Sequence, residues 1–441
     1  TTYYSGPGTT DPANKNSWWT NTNATGTHPA VWTNIADVFI NQTGHTMTAL
    51  NGWSMSGTFV VNGTFNGNNK DHVLGALTVN VGGVFNSSTS GNHKLTVSRT
   101  TVISGTINFF GTQNQTFIGA VTINSGGIWN EVSGPPKFFF AGGITNNGTF
   151  TANTGVHEFN TNNQSLNGIF TIPNVKINGV NLTNNGTLTI SGVLTEGGSS
   201  TLTQGANAVL NYFGATLAVD VLNAAATGNT VNYYATGNQT VKQNPATTYY
   251  NLTLSGSGSK NLAAAVTVNG TLSVEGTATT NAAPTYGANA TLKYNTATAR
   301  TAGPEWITPF AATGGVIIAN TGAITMNGAK VFNCGIPLTI NTGSTLLTNN
   351  LALTFGGDFI RNGSFTAGSS AITIGTCTVN QSISGFTTTG SVSMTKTGGT
   401  ATFTSNVSAG ALTINGTGGT LSLGVGLTHT FSGIVSLTNG T

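Results

Sequence analysis

Short stretches of alternating apolar and polar residues recur along nearly the whole chain, and each closes with a glycine or an Asn-Gly pair. Residues 147–190 show the pattern most clearly. Alternation with a period of two places successive side chains on opposite sides of a β-strand. The Asn-Gly pairs predict tight turns that use the positive φ available to glycine. The sequence therefore predicts a repeat protein built from short strands.

Three recurring motifs make up this repeat. Asn-Gly-Thr/Ser-apolar begins at Asn62, Asn147, Asn185, Asn269 and Asn362. Apolar-Thr-apolar begins at Leu77, Leu95, Val121, Leu188, Leu252, Val266, Leu338, Ile372 and Leu412, and it predicts strands with one core face. Asn-Gln-Ser/Thr-apolar begins at Asn114, Asn163, Asn238 and Asn380. We expect the amides of this third motif to stack and hydrogen-bond along the axis of the repeat.

Strands at this spacing fit a sandwich, a barrel or a solenoid. A sandwich of 441 residues would need several domains joined by linkers, and the self-similarity here is uninterrupted. The pattern therefore favours an all-β fold, a single elongated parallel β-helix. With about 20–25 residues in each coil, residues 60–441 would form about 15–19 coils. Adjacent immunoglobulin-like domains are the alternative, although the sequence has no Cys…Trp…Cys pattern.

The N-terminal segment, 1–56, differs from the rest, because it holds four of the six tryptophans: Trp18, Trp19, Trp32 and Trp53. We predict that segment 1–56 forms a cap over the open core of the first coil and that segment 57–441 forms the β-helix. An exposed aromatic platform for carbohydrate is the alternative. Pro304 to Pro309 predicts a loop that leaves the coil. Because the sequence stops within a repeat, we expect more coils or a capping module beyond position 441.

Charged residues make up only 5% of the chain, and the net charge of +3 is spread thinly. Lys and Arg form no cluster, which argues against nucleic acid as a partner. No apolar run reaches the ~18–20 residues of a transmembrane helix, so we predict a chain that does not span a membrane. Cys334 and Cys377 are favoured as two free core residues, with a disulfide between them as the alternative.

Candidate chemistry is sparse. A glycosidase needs two carboxyl groups about 5–9.5 Å apart, and Glu131 with Glu158, or Glu196 with Asp220, lie about one coil apart in sequence. His72 and His93, with Asp71, have a spacing that would suit a metal site, and His157-Glu158 is a similar candidate. Isolated, solvated side chains are the favoured interpretation of all these residues. We therefore predict no catalytic, cofactor-binding or metal-binding residues, and no enzyme activity.

Several strings resemble a known family: Gly44-His-Thr-Met-Thr48, Tyr250-Asn-Leu-Thr-Leu254 and Val266-Thr-Val-Asn-Gly-Thr-Leu272. They are similar to the long secreted β-strand-repeat proteins of Bacteroidetes. The resemblance implies a very large protein that the type IX secretion system exports and that is displayed at the cell surface. It also implies outer-membrane secretion or anchoring machinery as a partner. Some such proteins act as adhesins, including mobile adhesins of gliding cells.

The favoured function is therefore an extracellular structural or adhesive rod, the N-terminal part of a large cell-surface adhesin, with an unidentified surface or polysaccharide as its target. A carbohydrate-binding or carbohydrate-active β-helix is the first alternative. An ice-binding face is the second, because regular rows of Thr on a flat sheet can order water.

Overall fold

The structure is a computed structural model, and it describes residues 1–8, 11–88, 93–243, 245–262 and 266–441. The described chain is almost entirely strand and turn, with one short 3-10 helix at Lys15–Ser17. It forms two compact units, Thr1–Asn229 and Thr230–Thr441. Each unit is a parallel β-solenoid, and the two together contain about 20 turns. The predicted all-β, parallel β-helix class is confirmed.

Each turn of the N-terminal unit carries up to three strands, which form three faces. The first face comprises Thr2–Ser5, Val38–Asn41, Thr58–Val61, Ala76–Val79, Thr101–Ile103, Val121–Ile123, Ile144–Asn146, Asn181–Asn184, Thr201–Gln204 and Val221–Asn223. The second face comprises Thr46–Thr48, Thr64–Asn66, Val84–Asn86, Thr106–Phe110, Ile128–Ser133 and Thr149–Thr151. The third face comprises Trp53–Ser54, His72–Leu74, Leu95–Val97, Gln115–Phe117, Phe138–Phe140 and Val156–Asn160.

Two longer strands of this unit, Gln164–Asn178 and Thr187–Gly197, run around the corners of the solenoid. Val209–Tyr212 pairs with the second of them. Trp18–Trp19 is the exception to the parallel arrangement, because it pairs antiparallel with the strand at the N-terminus.

The C-terminal unit has the same three-sided arrangement. Its first face comprises Thr230–Tyr233, Asn251–Leu254, Thr271–Glu275, Thr291–Asn295, Val316–Ala319, Leu338–Ile340, Phe359–Arg361, Gln381–Ile383, Thr400–Phe403 and Thr420–Ser422. Its second side comprises Gln239–Thr240, Ser259–Asn261, Thr279–Thr280, Arg300–Thr301, Ala323–Thr325, Thr345–Leu347, Ser364–Thr366, Ser408–Ala409 and Thr430–Phe431. Its third side comprises Thr247–Tyr249, Val266–Val268, Thr285–Tyr286, Lys330–Val331, Leu353–Phe355, Ile372–Ile374, Val392–Met394, Leu412–Asn415 and Val435–Asn439.

Strands pair with their equivalents one turn along the chain. Thr58 pairs with Ala76, whereas Leu77 pairs with Thr101, so the second of these turns contains more of the chain than the first. These two turns contain 18 and 24 residues, so the turn length varies slightly more than the predicted range of about 20–25 residues. The variation arises because the corners between strands differ in length. In-register apolar side chains stack into inward columns, and most of these side chains are buried. Burying these side chains against the next turn supplies most of the stability of such a fold.

The glycine of the Asn-Gly-Thr motif has a different role from the one predicted. The five glycines of this motif do not have positive φ. A Cβ atom at Gly63 would instead collide with the backbone oxygens of Gln42 and His45, and one at Gly148 with that of Gly127. The motif therefore marks a corner where the backbone of one turn presses against the turn before it.

The predicted aromatic cluster at the N-terminus is present. Trp18 and Trp53 are buried, and their ring centroids lie 5.6 Å apart. Trp32 packs on Trp53 at 5.5 Å and on Phe39 at 5.2 Å. Trp19 instead contacts His28, with ring centroids 4.1 Å apart. Three of the four tryptophans therefore extend the core around Phe39, an inward residue of the first face.

Two expectations for the C-terminal unit were wrong. Cys334 and Cys377, which are 43 residues apart in sequence, form a disulfide with 5.1 Å between their Cα atoms. The sequence alone could not place these two residues together, because the turn length varies. The segment from Pro304 to Pro309 does not leave the coil, since Glu305 and Trp306 are buried. The carboxylate of Glu305 lies in the core, where it accepts hydrogen bonds from buried side chains.

Candidate functional site

Glu131 pairs with His157 rather than with Glu158. Its Oε1 lies 2.8 Å from Nε2 of His157, and both side chains are fully buried. Oε1 also accepts the indole N–H of Trp129 at 3.0 Å, and Oε2 accepts the backbone N–H of Asn153 at 2.7 Å. The other ring nitrogen of His157 faces the carbonyl oxygen of Gly155. Both ring nitrogens of His157 therefore face oxygen atoms inside the core.

Glu158 lies on the opposite side of its strand, where two lysines flank it. Its Oε2 is 3.1 Å from Nζ of Lys137 and 3.4 Å from Nζ of Lys176. Burial opposes ionisation, but hydrogen bonds from Asn178, Lys137 and Asn160 and the charge of Lys137 outweigh it and lower the pKa of Glu158. Glu158 and its two lysines therefore form an ion-pair ladder on the third face.

The other candidate acids are also held by structural contacts. Glu196 and Asp220 both contact Ser200, through its hydroxyl at 3.2 Å and its backbone N–H at 2.8 Å respectively. Glu305 is fully buried, and it accepts hydrogen bonds from Tyr294 at 2.8 Å and Thr280 at 2.6 Å. Among the predicted candidates, Glu131 and Glu158 are thus buried and bonded, which corrects the expectation that they are isolated and solvated, whereas Glu196 and Asp220 are exposed.

The candidate metal ligands are engaged elsewhere. Nε2 of His72 faces the carbonyl oxygen of Gly67 at 3.1 Å, and Asp71 accepts the backbone N–H of Lys94. Burial, opposed by this hydrogen bond, lowers the pKa of His72. In the part of the chain that the structure describes, no three His, Cys, Asp or Glu side chains are grouped as metal ligands.

The Asn-Gln motif places its glutamine in the core. Gln115, Gln164, Gln239 and Gln381 are all buried. The asparagines bond to the next turn instead, since Asn163, Asn238 and Asn380 each accept a backbone N–H about one turn ahead, at 2.8, 2.9 and 2.9 Å. The expected stacking of these amides along the axis is therefore replaced by bonds to the backbone.

Buried lysines donate hydrogen bonds to two of these glutamines. Nζ of Lys260 donates to Oε1 of Gln239 at 2.7 Å and to the carbonyl oxygen of Ala235 at 2.7 Å. Lys396 makes the same kind of contact with Gln381 at 2.9 Å. Burial lowers the pKa of Lys260 to about 8. These lysines satisfy carbonyl groups at the corners and are not exposed to a ligand.

The second face of the N-terminal unit is the most regular outer surface. Six successive strands pair in register, and each presents two outward side chains separated by one inward residue. We call these twelve residues the second-face array. One column comprises Thr46, Thr64, Val84, Thr106, Ile128 and Thr149; the other comprises Thr48, Asn66, Asn86, Asn108, Asn130 and Thr151. Neighbouring rows lie about 4.8 Å apart and the two columns about 6.6 Å apart.

Four asparagines of the array form an amide ladder: Asn66, Asn86, Asn108 and Asn130. The side-chain NH2 groups of the last three each donate to the Oδ1 of the preceding asparagine, at 2.9, 2.9 and 3.0 Å, and that of Asn66 donates to the hydroxyl of Thr48 at 3.5 Å. One N–H and one lone pair of each amide remain for other contacts. The ladder therefore presents fixed, uncharged donors and acceptors at a constant spacing.

The sequence contains a signal for this ladder that none of the three recurring motifs includes. An inward apolar residue precedes each of these asparagines, as in Phe65-Asn66, Phe85-Asn86 and Trp129-Asn130. The intervals between them match the turn length. The apolar-Thr-apolar triplets, by contrast, each show only one outward side chain, and they predict no second column.

Among the residues that the structure describes, we find no helix with the length and apolar character that a membrane-spanning helix requires. Comparison with protein-family models, with curated proteins and with solved structures finds no match to this chain.

Proposed function

We propose that this chain is an extracellular structural and adhesive solenoid, part of a large cell-surface adhesin, and that it attaches through the second-face array. The observation that carries the proposal is the amide ladder, because it fixes a row of neutral hydrogen-bonding groups on one sheet. Each contact to such a surface is weak, and many equal contacts in a row add to a firm attachment. Binding rather than catalysis is its role.

Two further observations support a location outside the cell. The Cys334–Cys377 disulfide is a type of bond that persists in oxidising compartments. The low charge and the likeness of the repeats to secreted Bacteroidetes proteins support export by type IX machinery and display at the surface, with gliding motility as one use.

Retention under flow tests the adhesive role. Beads that carry the whole chain would be applied to glass, agarose, cellulose and chitin, and detachment would be measured as shear increases. Wild-type beads should resist detachment on at least one surface, and a chain with Asn86→Lys and Asn108→Lys should lose most of that resistance, because two like charges disrupt the ladder.

A matched control uses two outward threonines of the third face, Thr96→Lys and Thr116→Lys, which are also adjacent in register. This control should adhere like the wild type once circular dichroism shows that both variants fold. Equal retention of wild type and ladder variant on every surface, or no retention of the wild type at all, would refute the proposal.

A further inference from the structure

The second face is interrupted where the amide ladder ends. Thr149–Thr151 pairs with residues 128–130 of the preceding turn. In the following turn, residues 169–172 pair forward with residues 187–190, and the second-face sheet does not continue onto them. A cleft of about 410 Å³ opens at this break, lined by Asn146, Asn147, Thr149, Phe150, Ile169 and Thr171 together with two glycines.

The floor of the cleft is the ring of Phe150, which lies at a position whose equivalents in the preceding turns are buried. Phe150 occupies the inward register of the second face, and the five equivalent residues of the preceding turns are fully buried: Met47, Phe65, Phe85, Ile107 and Trp129. Phe150 alone among these six is partly exposed. It stacks on Trp129 with ring centroids 5.4 Å apart, so its orientation is fixed from behind.

The walls of the cleft are polar and uncharged. None of its lining residues carries a charge. Asn147, Thr149 and Thr171 are exposed, and the described structure gives their side chains no hydrogen-bond partner. Asn146, by contrast, is used within the fold, since its side chain donates to the carbonyl oxygen of Ile169 at 2.8 Å. The cleft thus combines one rigid aromatic face with amide and hydroxyl groups that are available to a ligand.

We propose that this cleft binds a sugar unit of a neutral, extended polysaccharide, and that the rest of the chain lies along the amide ladder. The inference rests on the proposed adhesive function and names its ligand class. Saccharides present C–H groups that pack on an aromatic ring and hydroxyl groups that bond to amides, which is what these walls and floor offer. Asn130 and Thr151 are neighbours in register, so ladder and cleft form one continuous track.

Titration of the whole chain with soluble neutral hexasaccharides of cellulose, chitin, xylan and laminarin tests the site, with calorimetry as the readout. At least one hexasaccharide should bind to the wild type. Phe150→Ala should weaken that binding about tenfold, because the stacking surface is lost. Ile169→Asp is a second variant that leaves the core intact, since Ile169 is 71% exposed on the cleft rim. It should weaken binding to a similar extent.

Val81→Asp is the control, because Val81 is equally accessible at 82% exposure and lies outside the cleft. Unchanged hexasaccharide affinity in both cleft variants, or no binding of any hexasaccharide to the wild type, would overturn the cleft assignment. The adhesive proposal would stand after that result if the retention of beads under flow still depended on the amide ladder. Loss of ladder-dependent retention together with intact hexasaccharide binding would instead refute adhesion and leave the cleft site standing.

Discussion

At the scale of single residues, the buried charged groups of this chain maintain the solenoid. Glu131 and His157 are both removed from water and bonded to each other. Burying polar groups is costly unless they are hydrogen-bonded, and the contacts of this pair with each other, Trp129 and Asn153 offset that cost. Removing one partner should therefore be far more damaging than removing an acid at the surface.

Glu131→Gln should lower the free energy of unfolding of the N-terminal unit by about 3 kcal/mol, because it leaves His157 without its carboxylate. Urea unfolding followed by tryptophan fluorescence measures the change. Glu196→Gln is the matched control on an exposed acid of the same unit, and it should stay within about 0.5 kcal/mol of wild type. Equal effects of both substitutions would contradict the role assigned to the Glu131–His157 pair.

The buried amine of Lys260 predicts a dependence of stability on pH. Its folded-state pKa is about 8, whereas an unfolded lysine titrates near pH ~10.4. Below pH 8 the amine is charged in both states, and its burial cost is fully present. Between these two values the unfolded chain binds more protons, so the contribution of Lys260 to stability rises with pH.

The difference in unfolding free energy between wild type and Lys260→Met should therefore increase in favour of the wild type from about pH 8 to about pH 10. Urea unfolding of the C-terminal unit at several pH values measures it. Lys293→Met, at an outward position of the first face of that unit, provides a comparison for the loss of a lysine that is not buried. A flat difference for Lys260→Met would contradict the buried state of this amine.

At the scale of elements, cross-strand pairs determine what each face does. The apolar columns point inward and hold successive turns together, and the outward columns decide the surface chemistry. On the second face the outward asparagines bond to each other through their side chains. Neighbouring strands of this face are therefore joined by side-chain hydrogen bonds in addition to their backbone hydrogen bonds.

A double-mutant cycle on Asn86→Ala and Asn108→Ala measures that order. These amides share one hydrogen bond, so the coupling energy in urea unfolding should be about 0.5–1.5 kcal/mol. Thr96→Ala and Thr116→Ala provide the control cycle, since they are adjacent on the third face and share no side-chain hydrogen bond in the described structure. Their coupling should be near zero. Similar coupling in both cycles would mean that the amide bonds add nothing beyond strand pairing.

The sequence predicted the strands because alternation with a period of two is a local signal. Val121-Thr-Ile123, for example, lies on the first face as its triplet predicted. The contacts between turns were less predictable, because the turn length changes from one turn to the next. That variation made the pairing of Cys334 with Cys377 unpredictable. His157 rather than Glu158 meets Glu131 because successive residues of a strand point to opposite sides. The cleft beside Phe150 was not predictable either, since it arises where a sheet stops.

At the scale of the whole molecule, each unit depends on contacts between successive turns, and the disulfide adds a covalent contact in the C-terminal unit. Cys334 and Cys377 are 43 residues apart. Closing a loop of this length should stabilise the folded state by about 4 kcal/mol in the chain-entropy description.

Replacing both cysteines by serine should therefore lower the urea midpoint of the C-terminal unit and leave that of the N-terminal unit unchanged. Hydrogen exchange read by mass spectrometry separates the two units, because it reports the opening of each segment. Addition of a reducing agent to the wild type should reproduce the effect. A loss of protection in both units alike would show that the bond does not act locally.

The second-face array is the surface on which the functional account depends, and hydroxyl-radical footprinting of the chain bound to its best-retaining surface tests it most directly. Ile128 reports on the array, and Val73 and Ile118 report on the third face, with exposures of 38%, 42% and 46%. We predict that oxidation of Ile128 falls on binding while oxidation of Val73 and Ile118 stays as in the free chain. Protection of the third face with Ile128 still oxidised would contradict the account.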